Sequence, residues 1–218
     1  MITTTMLLDN LDSLKKRCIQ LDEEFRLLVV AYLGISDVQS SLRRLVEVVG
    51  RLVDGQEALV EASLAIRFLR DGFVRNAAGK AFQSWRALLA ALLRLELDKL
   101  LMVAKTDEER QWLKERAVPR VPTSRMKAPS QLLESVGYVD ASLWTAIALE
   151  LHDYQYNGPD PDMALSKYRG RDEAAYDVTK LISGVVKYVE AIKERVKWNE
   201  ELENAFKALK EKLGAKVE

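Results

Sequence analysis

The chain is poor in reactive side chains. Its 218 residues hold one histidine, one cysteine and five prolines, and 33 basic residues balance 33 acidic ones. A single cysteine, Cys18, excludes an internal disulfide and fits a reducing compartment. It falls inside an amphipathic helical pattern, which reads as core filler rather than a nucleophile. Zero net charge excludes a global field for nucleic acid or a membrane, so any such binding must come from a local patch. The strongest uncharged runs, Leu27 to Gly34 and Ala87 to Leu93, fall far short of the ~20 residues that span a bilayer. Met1 to Asn10 has no basic n-region and no small-residue cleavage site, so no secretory signal is expected and a cytoplasmic location is. The scarcity of His and Cys beside abundant Arg, Lys, Glu and Leu would suit a thermophile.

What is present is helical periodicity, with no convincing alternating strand. A first helix is expected from about Asp9 to Leu33, with Leu11, Leu14, Cys18, Leu21, Phe25 and Leu28 on one stripe. Ser36 can cap a second helix carrying Leu42, Leu45, Val46 and Val49. Asp54-Gly55 interrupts the chain, and a third helix follows over Gln56 to Arg70. After Asp71-Gly72, one long helix is expected from Val74 to Val103, its stripe including Ala78, Phe82, Trp85, Leu88 and Leu92. Thr106 and Glu109 form a capping-box match for a helix ending near Ala117.

Val118 to Pro129 holds Pro119, Pro122 and Pro129 and reads as a crossing loop. A short helix from Ser130 to Val136 stops at Gly137. Asp140 can cap the next, Ala141 to about Tyr154, which ends in the turn Asn157-Gly158-Pro159-Asp160-Pro161. The last helix is expected to run unbroken from Asp172 to Leu213, with a heptad-like seam on which Asn199 could set register in a pairing coil. The expected class is therefore all-α. Residues 1–55 are expected to form an N-terminal helical extension packed on the bundle, 56–196 the bundle itself, and 197–218 an extension of the last helix.

The one histidine, His152, marks the segment Leu151-His152-Asp153-Tyr154-Gln155-Tyr156-Asn157-Gly158. Chemistry near neutral pH would start there, because His alone has an unperturbed pKa in that range. Other patterns fail. Gly79-Lys80 lacks the first phosphate-loop glycine, where Val74 stands, and Ala81 replaces the magnesium-ligating hydroxyl. Asp153, Gln155, Asn157 and Gly158 echo a calcium loop, but Ala164 sits where a bidentate glutamate is required. A capped turn is preferred to a metal site, and no cofactor is implied. Arg110, Lys114, Arg116, Arg120, Arg125 and Lys127 make a basic run opposed only by Glu115. The next stretch, 128 to 162, carries acids without Lys or Arg. The two segments could neutralise each other, or the basic run could hold phosphates beside the His152 loop.

Ala148-Leu149-Glu150-Leu151-His152-Asp153-Tyr154, followed by a turn and a long helix, resembles the active segment of HEPN-domain proteins, most closely the HepT-type toxin branch. That branch has Arg, four residues, His, one residue, Tyr. Here His152 and Tyr154 match, and Ile147 stands at the arginine position. Asn76-Ala77-Ala78-Gly79-Lys80-Ala81-Phe82-Gln83-Ser84-Trp85 resembles the small-residue-rich central helix of the superfamily, and the chain also looks similar to uncharacterised archaeal HEPN-like proteins. The resemblance spans roughly Gln56 to Val196. It implies an antiparallel helical bundle that dimerises, with RNA as a substrate or ligand in active members and a nucleotidyltransferase partner in some.

The resemblance, with Ile147 in place of the cation, points to a non-catalytic interaction module, dimeric, with the His152 loop as its binding surface. Asp153, Tyr156, Asn157, Lys167, Arg120 and Arg125 are the candidate binding residues. The alternative is a metal-independent endoribonuclease that uses His152 and Tyr154 with a relocated arginine drawn from Arg120, Arg125 or Arg169. A third reading is a small-ligand pocket between the helix at 74–103 and Trp144, with Tyr156 and Lys167 at its mouth.

Overall fold

A computed structural model of the chain describes residues 56–119, 121–196 and 198–214, all within one compact unit, Val49–Glu218. The expected helices at Asp9 to Leu33 and after Ser36, together with Cys18 and Arg120, lie outside the described residues. Every described residue is in a helix, a turn or a loop, with no strand among them.

Helix α1 covers residues 56–70, where Gln56 to Arg70 was expected. The Asp71-Gly72 turn, with Gly72 at φ 78°, reverses the chain into α2, Val74–Leu95. The two helices run antiparallel. Phe73 N–H donates to Phe68 at the turn, Lys80 pairs with Glu61 at 2.9 Å, and Ser84 donates to the Ala58 carbonyl at 2.8 Å. Small side chains permit the close approach: Ala58, Ala62 and Ala65 on α1 and Ala77, Ala78 and Ala81 on α2 are fully buried.

Helix α2 is buried on most of its circumference, which places it at the centre of the bundle. The periodicity predicts that it continues to Val103. It instead breaks at Glu96, and α3 takes up Leu97–Val103. The cause is tertiary. The Glu96 carboxylate is buried and bonded by Tyr138 (2.7 Å), Lys99 (2.8 Å) and Arg195. Burial of Leu88, Leu89, Leu92 and Leu93 on α2 stabilises the core by about 1.5–3 kcal/mol per side chain.

Thr106 caps α4, Asp107–Trp112, by accepting from Glu109 N–H, and the last turn widens to i→i+5 bonding over Leu113–Ala117. The proline segment is more ordered than its composition implies. A 3₁₀ turn covers Thr123–Arg125, and α5 starts at Lys127 and runs to Ser135. Pro129 fits because the first turn of a helix needs no donor there.

Helix α6, Ala141–Asn157, extends one turn past the expected end. Asp140 does not cap it. Its backbone lies in the left-handed region, at φ 69°, and its side chain makes no cap bond. Glu134 serves instead, accepting from Ser142 N–H at 2.9 Å and from the Ser142 hydroxyl at 2.6 Å. Helix α6 runs antiparallel to α2: Trp85 Nε1 donates to Thr145 Oγ1 at 2.9 Å near one end, and Phe82 stacks on His152 further along.

Helix α7, Arg171–Ile192, runs antiparallel to α6 and parallel to α2, with the Trp144 indole lying against Gly184. The unbroken helix to Leu213 is not formed. Lys193–Arg195 tighten to a 3₁₀ turn and Val196 is extended, at φ −120° and ψ 163°. The Asn199 carboxamide oxygen then accepts from Leu202 N–H at 2.8 Å, at the start of α8, Glu200–Gly214. Asn199 therefore caps a new helix rather than setting register on a seam. Helix α8 folds back along α7, where Lys210 pairs with Glu190 at 3.3 Å, and buries Leu202, Phe206 and Leu209. Burying that apolar face outweighs continuing a helix that would leave it in water.

Candidate functional site

His152 is half-buried on α6. Its ring stacks on Phe82 at 4.2 Å and meets Tyr156 edge-on at 5.2 Å. The Gln155 side-chain amide lies 2.9 Å from Nδ1. The amide NH₂ is a donor, so Nδ1 accepts and the ring proton is assigned to Nε2. Burial pushes the imidazole below its ordinary pKa; Asp153 opposes that shift and the Arg86 guanidinium adds to it. Arg86, one turn along α2, also sits 5.8 Å from the Phe82 ring centre. A cation is therefore near His152, but it comes from α2, not from the Ile147 position or from Arg125 or Arg169.

Tyr154 lies elsewhere. Two residues along a helix rotate a side chain by about 200°, so His152 and Tyr154 leave opposite faces. Tyr154 is fully buried, edge-on to Tyr168 at 5.4 Å, and its hydroxyl has no hydrogen-bond partner. Burial raises its pKa, against the opposing pull of Arg171 and Arg75.

Tyr156 is 67% exposed and forms one wall of a cleft of about 570 Å³. Arg75, Asn76, Lys80, Gln83 and Gln155 complete its polar lining. Arg75 donates to the Gln155 and Tyr156 carbonyls, capping the C-terminal end of α6 where a cation is favoured. Gly79 forms the floor. An added Cβ there would fall 2.2 Å from Gln155 Oε1, so glycine is what lets the Gln155 amide lie against α2 while it bonds His152 on its own helix.

The remaining candidates separate. Asn157 donates to the Asp153 and Leu165 carbonyls at 2.9 and 3.1 Å, tying the following loop to α6. Asp153 is exposed. Lys167 lines a different cleft, of about 670 Å³, with Glu150, Tyr168, Asp172 and Asp177. Tyr156 and Lys167 thus open onto separate clefts, and Trp144 packs against Gly184. Arg125 rests over Trp112 at 6.0 Å. Asp160 accepts from Leu165, Ser166 and Asp162 N–H groups, which hold its carboxyl below the usual range. No ion pair joins the basic run at 110–127 to the acidic stretch at 128–162 among the described residues. Arg110 is consumed locally by Asp107 and by the Leu101 and Ala104 carbonyls.

Sequence reasoning missed Arg75 and Arg86. Each is an ordinary cation in a helical pattern, and only the antiparallel pairing of α2 with α6 brings them to the histidine segment. Among the described residues no helix is long and apolar enough to cross a membrane, and no group of His, Cys, Asp and Glu could hold a metal.

No curated protein and no solved structure matches the chain. Residues 55–179 match a family model, and that span includes α1, α2, the His152 segment and the start of α7. With more than half of its length matched, the chain belongs to the archaeal PaREP1/PaREP8 family.

Proposed function

We propose that the chain is a HEPN-like, homodimeric binding module that holds single-stranded RNA on its His152 face without cutting it. The observation that carries this reading is Tyr156, an exposed aromatic ring standing between His152 and a polar cleft that contains Arg75 and Lys80. An exposed ring beside cations is a stacking platform for a base with its phosphate in reach, and base stacking is worth about 1–3 kcal/mol. The absence of cutting rests on geometry. Tyr154, the second member of the His-x-Tyr pair, is buried on the opposite face of α6. Gln155 occupies Nδ1 of His152. The test is fluorescence anisotropy of a labelled single-stranded RNA with the full chain at low salt in EDTA, alongside a gel of the same RNA. Tyr156→Ala should weaken binding at least about fivefold, and the RNA should stay intact. Light scattering on the same sample tests the dimer.

A second reading is favoured by one neighbour. Arg86 sits 5.8 Å from the centre of the Phe82 ring on which His152 stacks, so it could supply the charge stabilisation that Ile147 cannot. A metal-independent ribonuclease would then use His152 for proton transfer and Arg86 for the phosphorane-like charge. Cutting in EDTA that is lost in both His152→Ala and Arg86→Ala would establish that reading and displace the first.

A further inference from the structure

On the other side of Arg75, away from His152, a second pocket of about 290 Å³ is lined by Gly72, Val74, Arg75, Asn76, Tyr154 and Arg171, among others. Its groups are donors. Helix α2 begins here, and Phe73 at its cap position supplies no side-chain acceptor. The first turn of α2 contains no acidic residue. The N–H groups of Val74, Arg75 and Asn76 make no hydrogen bond among the described residues, so a helix of 22 residues presents an uncompensated positive end to the pocket.

Two guanidinium groups add to that charge. Arg171 donates to the Gly72 carbonyl and Arg75 to the α6 carbonyls. Neither forms an ion pair with a described residue. The α6 carbonyls and the Gly72 carbonyl hold the two guanidiniums beside the positive end of α2, so an anion seated there would meet donors from both arginines and from the helix. The second, independent observation is Tyr154. It lines the pocket, is 0% exposed, and its hydroxyl has no partner. A buried hydroxyl without a partner costs about 1–3 kcal/mol, and an anion in this pocket would give it an acceptor.

We propose that this pocket binds a phosphate group, held by the α2 N-terminus, Arg75, Arg171 and the Tyr154 hydroxyl. The volume lies at the lower limit for small-molecule sites, so the ligand is a small phosphate species and not an extended cofactor. Inorganic phosphate and the phosphate of a small monoester share this chemistry. The pocket shares Arg75 and Asn76 with the Tyr156 cleft but is separately lined by Gly72, Tyr154 and Arg171, and it stands whether or not the His152 face binds RNA.

The test is isothermal titration of the full chain with inorganic phosphate, and separately with adenosine monophosphate, against sodium chloride at matched ionic strength. Saturable binding is expected for at least one ligand, and the tighter of the two identifies the source. Arg171→Gln should weaken it about tenfold or more, because a hydrogen bond to a charged group is lost. Tyr154→Phe separates binding from folding. It removes an unsatisfied hydroxyl, so the melting temperature in chloride should hold or rise while phosphate binding weakens severalfold. Absence of saturable binding of both ligands overturns the proposal. Binding that is unchanged in both variants also overturns it.

Discussion

The Gln155 side-chain amide and His152 Nδ1 lie 2.9 Å apart, and the contact is favourable only while the imidazole is neutral. Protonation would turn Nδ1 into a second donor facing the amide NH₂. This contact acts in the same direction as burial and Arg86, which lower the His152 pKa. Because the chain holds a single histidine, its titration can be read from one NMR resonance without assignment. The expected midpoint lies below the ordinary value of about 6.5, and Gln155→Ala should move it upward. Linkage fixes the effect on stability. The unfolded state takes up the proton first, so the native state is favoured fully above about pH 6.5 and loses that advantage as the pH falls through the lowered folded value. A midpoint at or above 6.5 would contradict this account.

Gly79→Ala tests how the amide is positioned. The new Cβ would meet Gln155 Oε1 at 2.2 Å, and Oε1 is the far end of a flexible side chain. The fold should therefore survive with little change in melting temperature, while the His152 midpoint rises as it does in Gln155→Ala. Loss of folding would show that Gly79 serves packing instead.

Gly184→Ala should behave in the opposite way. The added Cβ would lie 2.9–3.1 Å from three atoms of the Trp144 indole, a rigid ring wedged between α6 and α7. Overpacking of this kind costs about 1–3 kcal/mol, to be read as a lower denaturation midpoint with an unchanged m-value.

Glu96 carries the buried polar network. Burial pushes its carboxyl up, but hydrogen bonds from Lys99, Tyr138 and Arg195 outweigh that and hold it below the ordinary carboxylate range. Its stabilising effect is complete above about pH 4.5 and is lost as the pH falls through the lowered folded value. Glu96→Ala removes the partner of the exposed Arg195 and strands the buried Tyr138 hydroxyl without its acceptor, and should cost about 1–3 kcal/mol. Its acid unfolding should also be shallower than that of the wild type. An unaltered denaturation midpoint would rule out this role.

The sequence reveals elements better than junctions. Apolar spacing located α1, α2, α6 and the start of α7, and Thr106 marked its cap, because those features depend on neighbours three or four residues away. The breaks at Glu96 and at Lys193–Val196 were not legible. The first depends on Tyr138 and Arg195 reaching Glu96 from far along the chain, and the second on α8 folding back to bury Leu202, Phe206 and Leu209, in stretches whose local propensity favours helix. The candidate site was legible only at its histidine. Arg75, Arg86 and Arg171 become functional candidates through pairing between helices, although Phe73 in a cap position with no acid in the following turn was a readable signal. The His-x-Tyr resemblance pairs Tyr154 with His152, while the step of about 200° along a helix sends the two side chains apart.

The most direct test of the central claim is incubation of the full chain with labelled single-stranded RNA in EDTA, scored for retention and for cleavage in the same tube. The account predicts RNA retained at low salt, released by Tyr156→Ala and recovered uncut. RNA that is not retained, or that is cut in a manner dependent on His152 and Arg86, would contradict it.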